Sequence, residues 1–116
     1  MLRTILKSKI HRATVTEANL YYEGSITIDK KLLEAADILD GEKVEVLNLH
    51  NGHRLETYAI NGEAGSGVIC LNGPAARGAC KGDQVVIVTY VQVEDQEAKS
   101  IKAKIIKVDE HNRIKN

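Results

Sequence analysis

Short apolar runs rich in Val, Ile and Thr, separated by Gly, Asn and charged residues, restrict this chain more than any other feature of its 116 residues. They predict a mainly β domain of many short strands. Strands are expected near residues 3–15, 26–28, 43–49, 53–60, 67–72, 84–93 and 100–108. Asp29 suits the N-cap of a short helix over 30–37, with Leu32, Leu33 and Ala36 on one face and Asp40-Gly41 at its end. Asn51-Gly52 predicts a tight primed turn between the third and fourth runs, 43–49 and 53–60. Pro74 suits the first position of a second short helix, where its missing N–H costs nothing. A small closed barrel accommodates so many short strands most economically, because closure leaves no exposed edges. Residues 99–107 carry four lysines without an acid, with Ile101, Ala103 and Ile105 alternating against Lys102 and Lys104. That pattern predicts a solvated strand face, and the chain from about Glu110 is expected to be disordered.

The core has to be built from Ile, Val, Leu and Ala, since the chain has no Phe, no Trp and only four Tyr. Sixteen Lys and Arg balance sixteen Asp and Glu. That balance removes the long-range attraction that nucleic acid or an anionic membrane would require, and neither partner is expected. No apolar run reaches membrane-spanning length, and the charged residues among the first thirteen break up any signal peptide. A soluble cytoplasmic protein follows, in which Cys70 and Cys80 are expected to be free and mostly buried thiols. The four histidines, His11, His50, His53 and His111, show no ligand spacing, so no metal is expected. Gly65-Ser66-Gly67 reads as a flexible connection, too short for a phosphate loop.

Three segments can carry chemistry. In Tyr21-Tyr22-Glu23-Gly24-Ser25, the serine follows a residue whose backbone can be approached closely and held under strain. Attack of the Ser25 hydroxyl on the Gly24 carbonyl would turn the amide into an ester. β-Elimination would then cut the chain after Gly24, leaving a dehydroalanine that hydrolyses to a pyruvoyl group. A lone Gly-Ser reads equally as a turn into the next strand. On the strand from His53 to Ile60, alternation puts Arg54 and Tyr58 on one face and Thr57 on the other. Arg54 can fork onto a carboxylate and Tyr58 can deliver a proton, or the pair can be a surface ion pair beside a core tyrosine. Thr57 joins such a site only through a bulge or a second wall of the cavity. Asn72-Gly73-Pro74-Ala75-Ala76 runs from a strand end into a helix start, with free N–H groups and small side chains. Lys9 and His11 share a face of the first strand, as an exposed pair or as a source of positive potential.

Taken in order, Leu2-Arg3-Thr4, Lys9-Ile10-His11-Arg12, Tyr22-Glu23-Gly24-Ser25, Arg54-Leu55-Glu56-Thr57-Tyr58-Ala59-Ile60 and Asn72-Gly73 resemble the aspartate 1-decarboxylases. The resemblance runs from residue 1 to about residue 98. It implies a small six-stranded double-psi β-barrel with short helices, a homotetramer, and one domain, 1–116, that cuts itself into 1–24 and 25–116. It makes Ser25 the precursor of a covalent pyruvoyl cofactor that captures L-aspartate, and Tyr58 the proton donor after carbon dioxide leaves. Arg54 would bind a substrate carboxylate, Thr57 and Gly73, Pro74 and Ala75 would contact substrate, and Asn72 with Thr57 would support the site or the maturation of Gly24-Ser25. Lys9, His11 and Tyr22 carry less weight. The product would be β-alanine for pantothenate synthesis. Pro74 departs from the family's usual alanine. The alternative is a non-catalytic double-psi barrel acting as a binding or assembly module, with Gly24-Ser25 an intact turn.

Overall fold

The computed structural model describes residues 1–115. Its strands are β1 Leu2–Thr14, β2 Glu17–Asn19, β3 Ser25–Asp29, β4 Lys43–Asn48, β5 Arg54–Gly62, β6 Ile69–Asn72, β7 Gln84–Glu94 and β8 Lys104–Lys107. Helix α1 spans Lys30–Ala36, a 3₁₀ helix spans Gly73–Gly78, and a four-residue α2 spans Asp95–Ala98. The sheet order is β2-β6-β3-β5-β4-β7-β1-β8. β2 continues β1 through Val15 and Thr16, whose N–H groups bond Asp83 O and Ile69 O. With β8 set aside as an addition to the outer edge of β1, the two ends of the sheet are therefore one stretch of chain, and the sheet closes. Counting β1 and β2 as one position and leaving β8 outside, eight strands become a six-position barrel.

The pairings also contain the two interlocked crossings of a double-psi barrel. β6 lies between the consecutive strands β2 and β3, parallel to the first and antiparallel to the second. β3 lies between the consecutive strands β5 and β6. Two register shifts in β1, between Leu6 and Ser8 and between Ile10 and Ala13, bend it enough to serve both edges. Inside, Ile10, Ile26, Ile28, Leu32, Leu33, Ile69, Leu71 and Ile87 are fully buried, so aliphatic side chains fill the core without aromatic help.

Several local expectations change. Asn51-Gly52 does not form a two-residue turn, because only Gly52 takes positive φ and a primed type I turn needs two such residues. Gly52 N–H instead reaches back to Asn48 O, making a wider loop whose Asn51 side chain donates to Gly78 O. Helix α1 stops at Asp37, which adopts the left-handed conformation itself (φ 57°), three residues before Asp40-Gly41. β8 is confined to four residues, and Ile106, not Ile105, packs against the core, a one-residue change of phase. Cys70 is buried as expected, whereas Cys80 is exposed; both are free.

Residues 111–115, expected to be disordered, are held in place. Asn112 is buried, donates through Nδ2 to Thr14 O and Gly67 O, and accepts Thr14 N–H at Oδ1. Gly65-Ser66-Gly67 is likewise pinned. The Asp29 carboxylate caps α1 through Lys31 N–H and also accepts Gly65 N–H and Gly67 N–H. Burial alone would raise the Asp29 pKa, but those three backbone donors and the Arg113 guanidinium outweigh it and hold the carboxyl below its usual value. Replacing it by alanine leaves three donors without their partner, and Asp29→Ala should cost roughly 1–3 kcal/mol in denaturant unfolding at neutral pH. A carboxyl with a lowered folded-state pKa stabilises fully above its unfolded value of about 3.9 and loses that contribution below it. The gap between wild type and Asp29→Ala should therefore narrow when the same curves are measured at about pH 3.

Candidate active site

Ser25 is the first residue of β3 and lies directly across from Asn72, the last residue of β6. Its side chain is fully buried (0% exposed). Asn72 stands at the N-cap of the 3₁₀ helix yet makes no capping bond. Its Nδ2 instead donates to Ser25 Oγ at 2.9 Å and to Thr27 Oγ1 at 3.0 Å. Ser25 Oγ in turn donates to Glu23 O at 3.3 Å. The hydroxyl is thus held from both sides within a stretch of chain that turns sharply from residue 22 to residue 25.

The unusual backbone conformation expected at Gly24 is found at Gly73, where φ is +61°, a value that glycine adopts freely. A Cβ at Gly73 would come within 2.8 Å of Tyr22 O and 2.9 Å of Gly24 Cα and N. Gly73 therefore lets the 22–24 segment lie directly on the start of the 3₁₀ helix. Pro74 continues this contact, with its Cδ 3.2 Å from where a Gly24 Cβ would be.

Beside this contact lies an open cleft of about 360 Å³ lined by Gly24, Leu55, Glu56, Thr57, Tyr58, Pro74 and Ala75. Its position follows from strand register. β3 pairs with β5 only from Ile26 opposite Ala59 onward, so the β3-facing edge of β5 has no strand beside it from Arg54 to Tyr58, while β4 covers the other edge. A cleft along a strand edge meets side chains from both faces. Thr57 and Tyr58 therefore line it together although they alternate, with no bulge in the β4–β5 pairing. Tyr58 is 40% exposed.

Other expected residues lie apart. Arg54 does not line the cleft; it is exposed and sits 3.7 Å from Glu45, a loose contact. Lys9 and His11 are half-buried on β1, opposite Ile105 and Lys107 of β8, and do not line it either. Burial lowers the His11 pKa, with Lys9, Arg12 and Lys107 pushing the same way. Tyr22 contributes its carbonyl to the Gly73 contact while its ring remains exposed. Among the described residues no group of three or more His, Cys, Asp or Glu is arranged to hold a metal ion. Thr27 and Cys70, the latter expected only as a buried thiol, were not anticipated as neighbours of Asn72, whose Nδ2 meets Thr27 Oγ1 and whose Oδ1 meets Cys70 Sγ. Each lies two positions from a singled-out residue, Ser25 or Asn72, and so shares its face, a signal that strand alternation does provide.

The model of the aspartate decarboxylase family matches residues 1–115. The chain belongs to that family. Among its relatives, the aspartate 1-decarboxylase of Thermoanaerobacter pseudethanolicus is 60% identical over all of this chain and 99% of its own length. That of Acetivibrio thermocellus is 58% identical over all of this chain and 92% of its own. The Listeria monocytogenes enzyme is 58% identical over 98% of this chain and 90% of its own. In this family member, the contact between Gly73 and residues 22–24 leaves no room for a methyl group. Gly73→Ala should lower the thermal midpoint by an amount corresponding to at least about 1–2 kcal/mol, the cost of a left-handed alanine. Hydrogen exchange at Glu23 and Gly24, whose N–H groups are present in cut and uncut chains alike, should speed up in the same variant, and unchanged exchange would remove Gly73 from this role.

Proposed function

We propose that the chain cuts itself after Gly24, converts Ser25 into a pyruvoyl group, and decarboxylates L-aspartate to β-alanine and carbon dioxide. The observation that carries this reading is the buried Ser25 hydroxyl held between Asn72 Nδ2 and the Glu23 carbonyl, on the residue whose peptide nitrogen carries the Gly24 carbonyl, so that attack closes a five-membered ring. Cleavage begins as an isomerisation. The Ser25 Oγ bonds the Gly24 carbonyl carbon, the Gly24–Ser25 C–N bond breaks, and the hydroxyl proton passes to the released nitrogen. Loss of the α proton of residue 25 then expels the Gly24 carboxylate, and water replaces the nitrogen of the resulting dehydroalanine, releasing ammonia. The residues present fit such a group, since Asn72 and Thr27 offer polar atoms to the same position.

The pyruvoyl group supplies an electron sink for the pair freed when carbon dioxide departs. The other tasks fall to side chains. Tyr58, rimming the cleft, delivers a proton to the former α carbon. Thr57, Pro74 and Ala75 line the space that an amino acid of this size would occupy, beside Gly73. Arg54 can leave its loose contact with Glu45 at little cost and bind the carboxylate that is retained. Orienting one carboxylate aligns the other for cleavage. A homotetramer agrees with the exposed Leu20, Tyr21 and Tyr22 ahead of the cleavage point, Tyr21 being 96% exposed. The absence of any helix long and apolar enough to cross a membrane among the described residues is compatible with a cytoplasmic site of action. β-Alanine made there would feed pantothenate synthesis.

Mass measurement under denaturing conditions tests the reading. Fragments 1–24 and 25–116 are expected, the larger one lacking a free amino terminus and reacting with a hydrazine. Only full-length chains in an active preparation would exclude the pyruvoyl route, and full-length chains without turnover would favour a non-catalytic barrel. Ser25→Ala should abolish cleavage and turnover together. Tyr58→Phe should leave cleavage intact and cut β-alanine formation by roughly 10²-fold or more, the scale of a lost positioned acid. Near-normal turnover would take Tyr58 out of the mechanism.

A further inference from the structure

Cys70 lies on β6 two residues before Asn72, on the same face, and is only 6% exposed. Its Sγ is 3.1 Å from Asn72 Oδ1, while the Leu71 carbonyl is 4.0 Å away. A carboxamide has a donor end and an acceptor end, and which end faces the serine determines what the serine can do. With Nδ2 toward Ser25 and Thr27, the serine oxygen accepts one hydrogen bond and its own proton is free to point at Glu23 O. Were the amide reversed, Oδ1 would face two hydroxyls. Ser25 would then give its proton to Asn72 instead of to the Glu23 carbonyl, and Nδ2 would face sulfur, a weak acceptor. The thiol thus favours one of two orientations. Burial raises the Cys70 pKa, and so does the Glu17 carboxylate through its charge and as a rival acceptor for the thiol proton, so the S–H stays protonated at neutral pH. Asn72 Oδ1, at 3.1 Å, is the nearer of the two acceptors that meet Sγ in hydrogen-bonding geometry.

Resting on the reading that the chain cuts itself, we propose that Cys70 is a positioning residue for maturation, whose S–H holds the Asn72 amide with its donor end toward the Ser25 hydroxyl. The directed sequence runs from Cys70 S–H to Asn72 Oδ1, from Asn72 Nδ2–H to Ser25 Oγ, and from Ser25 O–H to Glu23 O. It leaves one lone pair of Oγ unengaged for the Gly24 carbonyl carbon. Cys70 touches neither the scissile bond nor the cleft, and it acts through Asn72 alone.

The test follows conversion of freshly purified full-length chain into fragments 1–24 and 25–116 by denaturing mass measurement. Wild type, Cys70→Ser, Cys70→Ala and Cys70→Val are compared, with thermal midpoints recorded for each. Alanine and valine should slow cleavage roughly five- to tenfold, the scale of one lost hydrogen bond. Serine, which keeps a donor, should restore a rate close to wild type. Valine fills the space without donating, so a purely structural role would not separate it from serine. Cleavage of the valine variant at the wild-type rate, or of the serine variant as slowly as valine, overturns the role of Cys70. A wild-type chain that never cleaves overturns the self-cleavage reading instead, and this proposal with it.

Discussion

Closure of the barrel through a single run of chain is the constraint on which the remaining architecture depends. Residues 2–19 supply both margins of the sheet, pairing with β7 on one side and β6 on the other. Without that, β6 and β7 would each present a row of unpaired backbone groups. The register shifts in β1 and the left-handed Arg12 (φ 64°) are the local distortions that permit one strand to turn this corner. The same closure stacks β3 between β5 and β6, which brings the start of β3 against the end of β6, and hence Ser25 against Asn72.

Polar side chains then hold what the barrel has brought together. Asp29 ties the top of α1 to the 65–67 crossing, and Asn112 ties the same crossing to the end of β1. On the other side, Lys7 and Thr89 converge on Glu42, fixing the chain after α1 to the β1–β7 pair. The candidate site uses the same kind of bond for a different purpose. Asn72 spends its amide on two hydroxyls and leaves the helix it precedes uncapped, a local preference given up for a tertiary contact.

Much of this was legible in the residues. Runs rich in Val, Ile, Leu and Thr marked β1, β4, β5 and β7, and Asp29 announced α1, because these signals depend on neighbours in sequence. What depended on three-dimensional juxtaposition was not legible. β2 is three residues long and is a strand only because β6 lies beside it. Asn112 has no periodic context, and its anchoring depends on the Thr14 and Gly67 carbonyls meeting it from far away in the chain. The unusual backbone conformation expected at Gly24 belongs to Gly73, since the residue that yields is the one crossed over, not the one followed by serine. Thr57 and Tyr58 share a cleft only because β3 starts late along β5, a matter of register invisible to alternation. Arg54, legible as a cation on the right face, rests against Glu45.

The placement of β1 bears on what a cut after Gly24 would do to the molecule as a whole. The severed peptide would not be a loose leader but the stave that seals the barrel, held by a long antiparallel ladder to β7 and a short parallel one to β8. A processed molecule would then be a split protein whose two pieces stay together by noncovalent pairing alone. Unfolding would let them diffuse apart, and recovery would become a bimolecular encounter that depends on concentration, where the uncut chain needs only to refold upon itself.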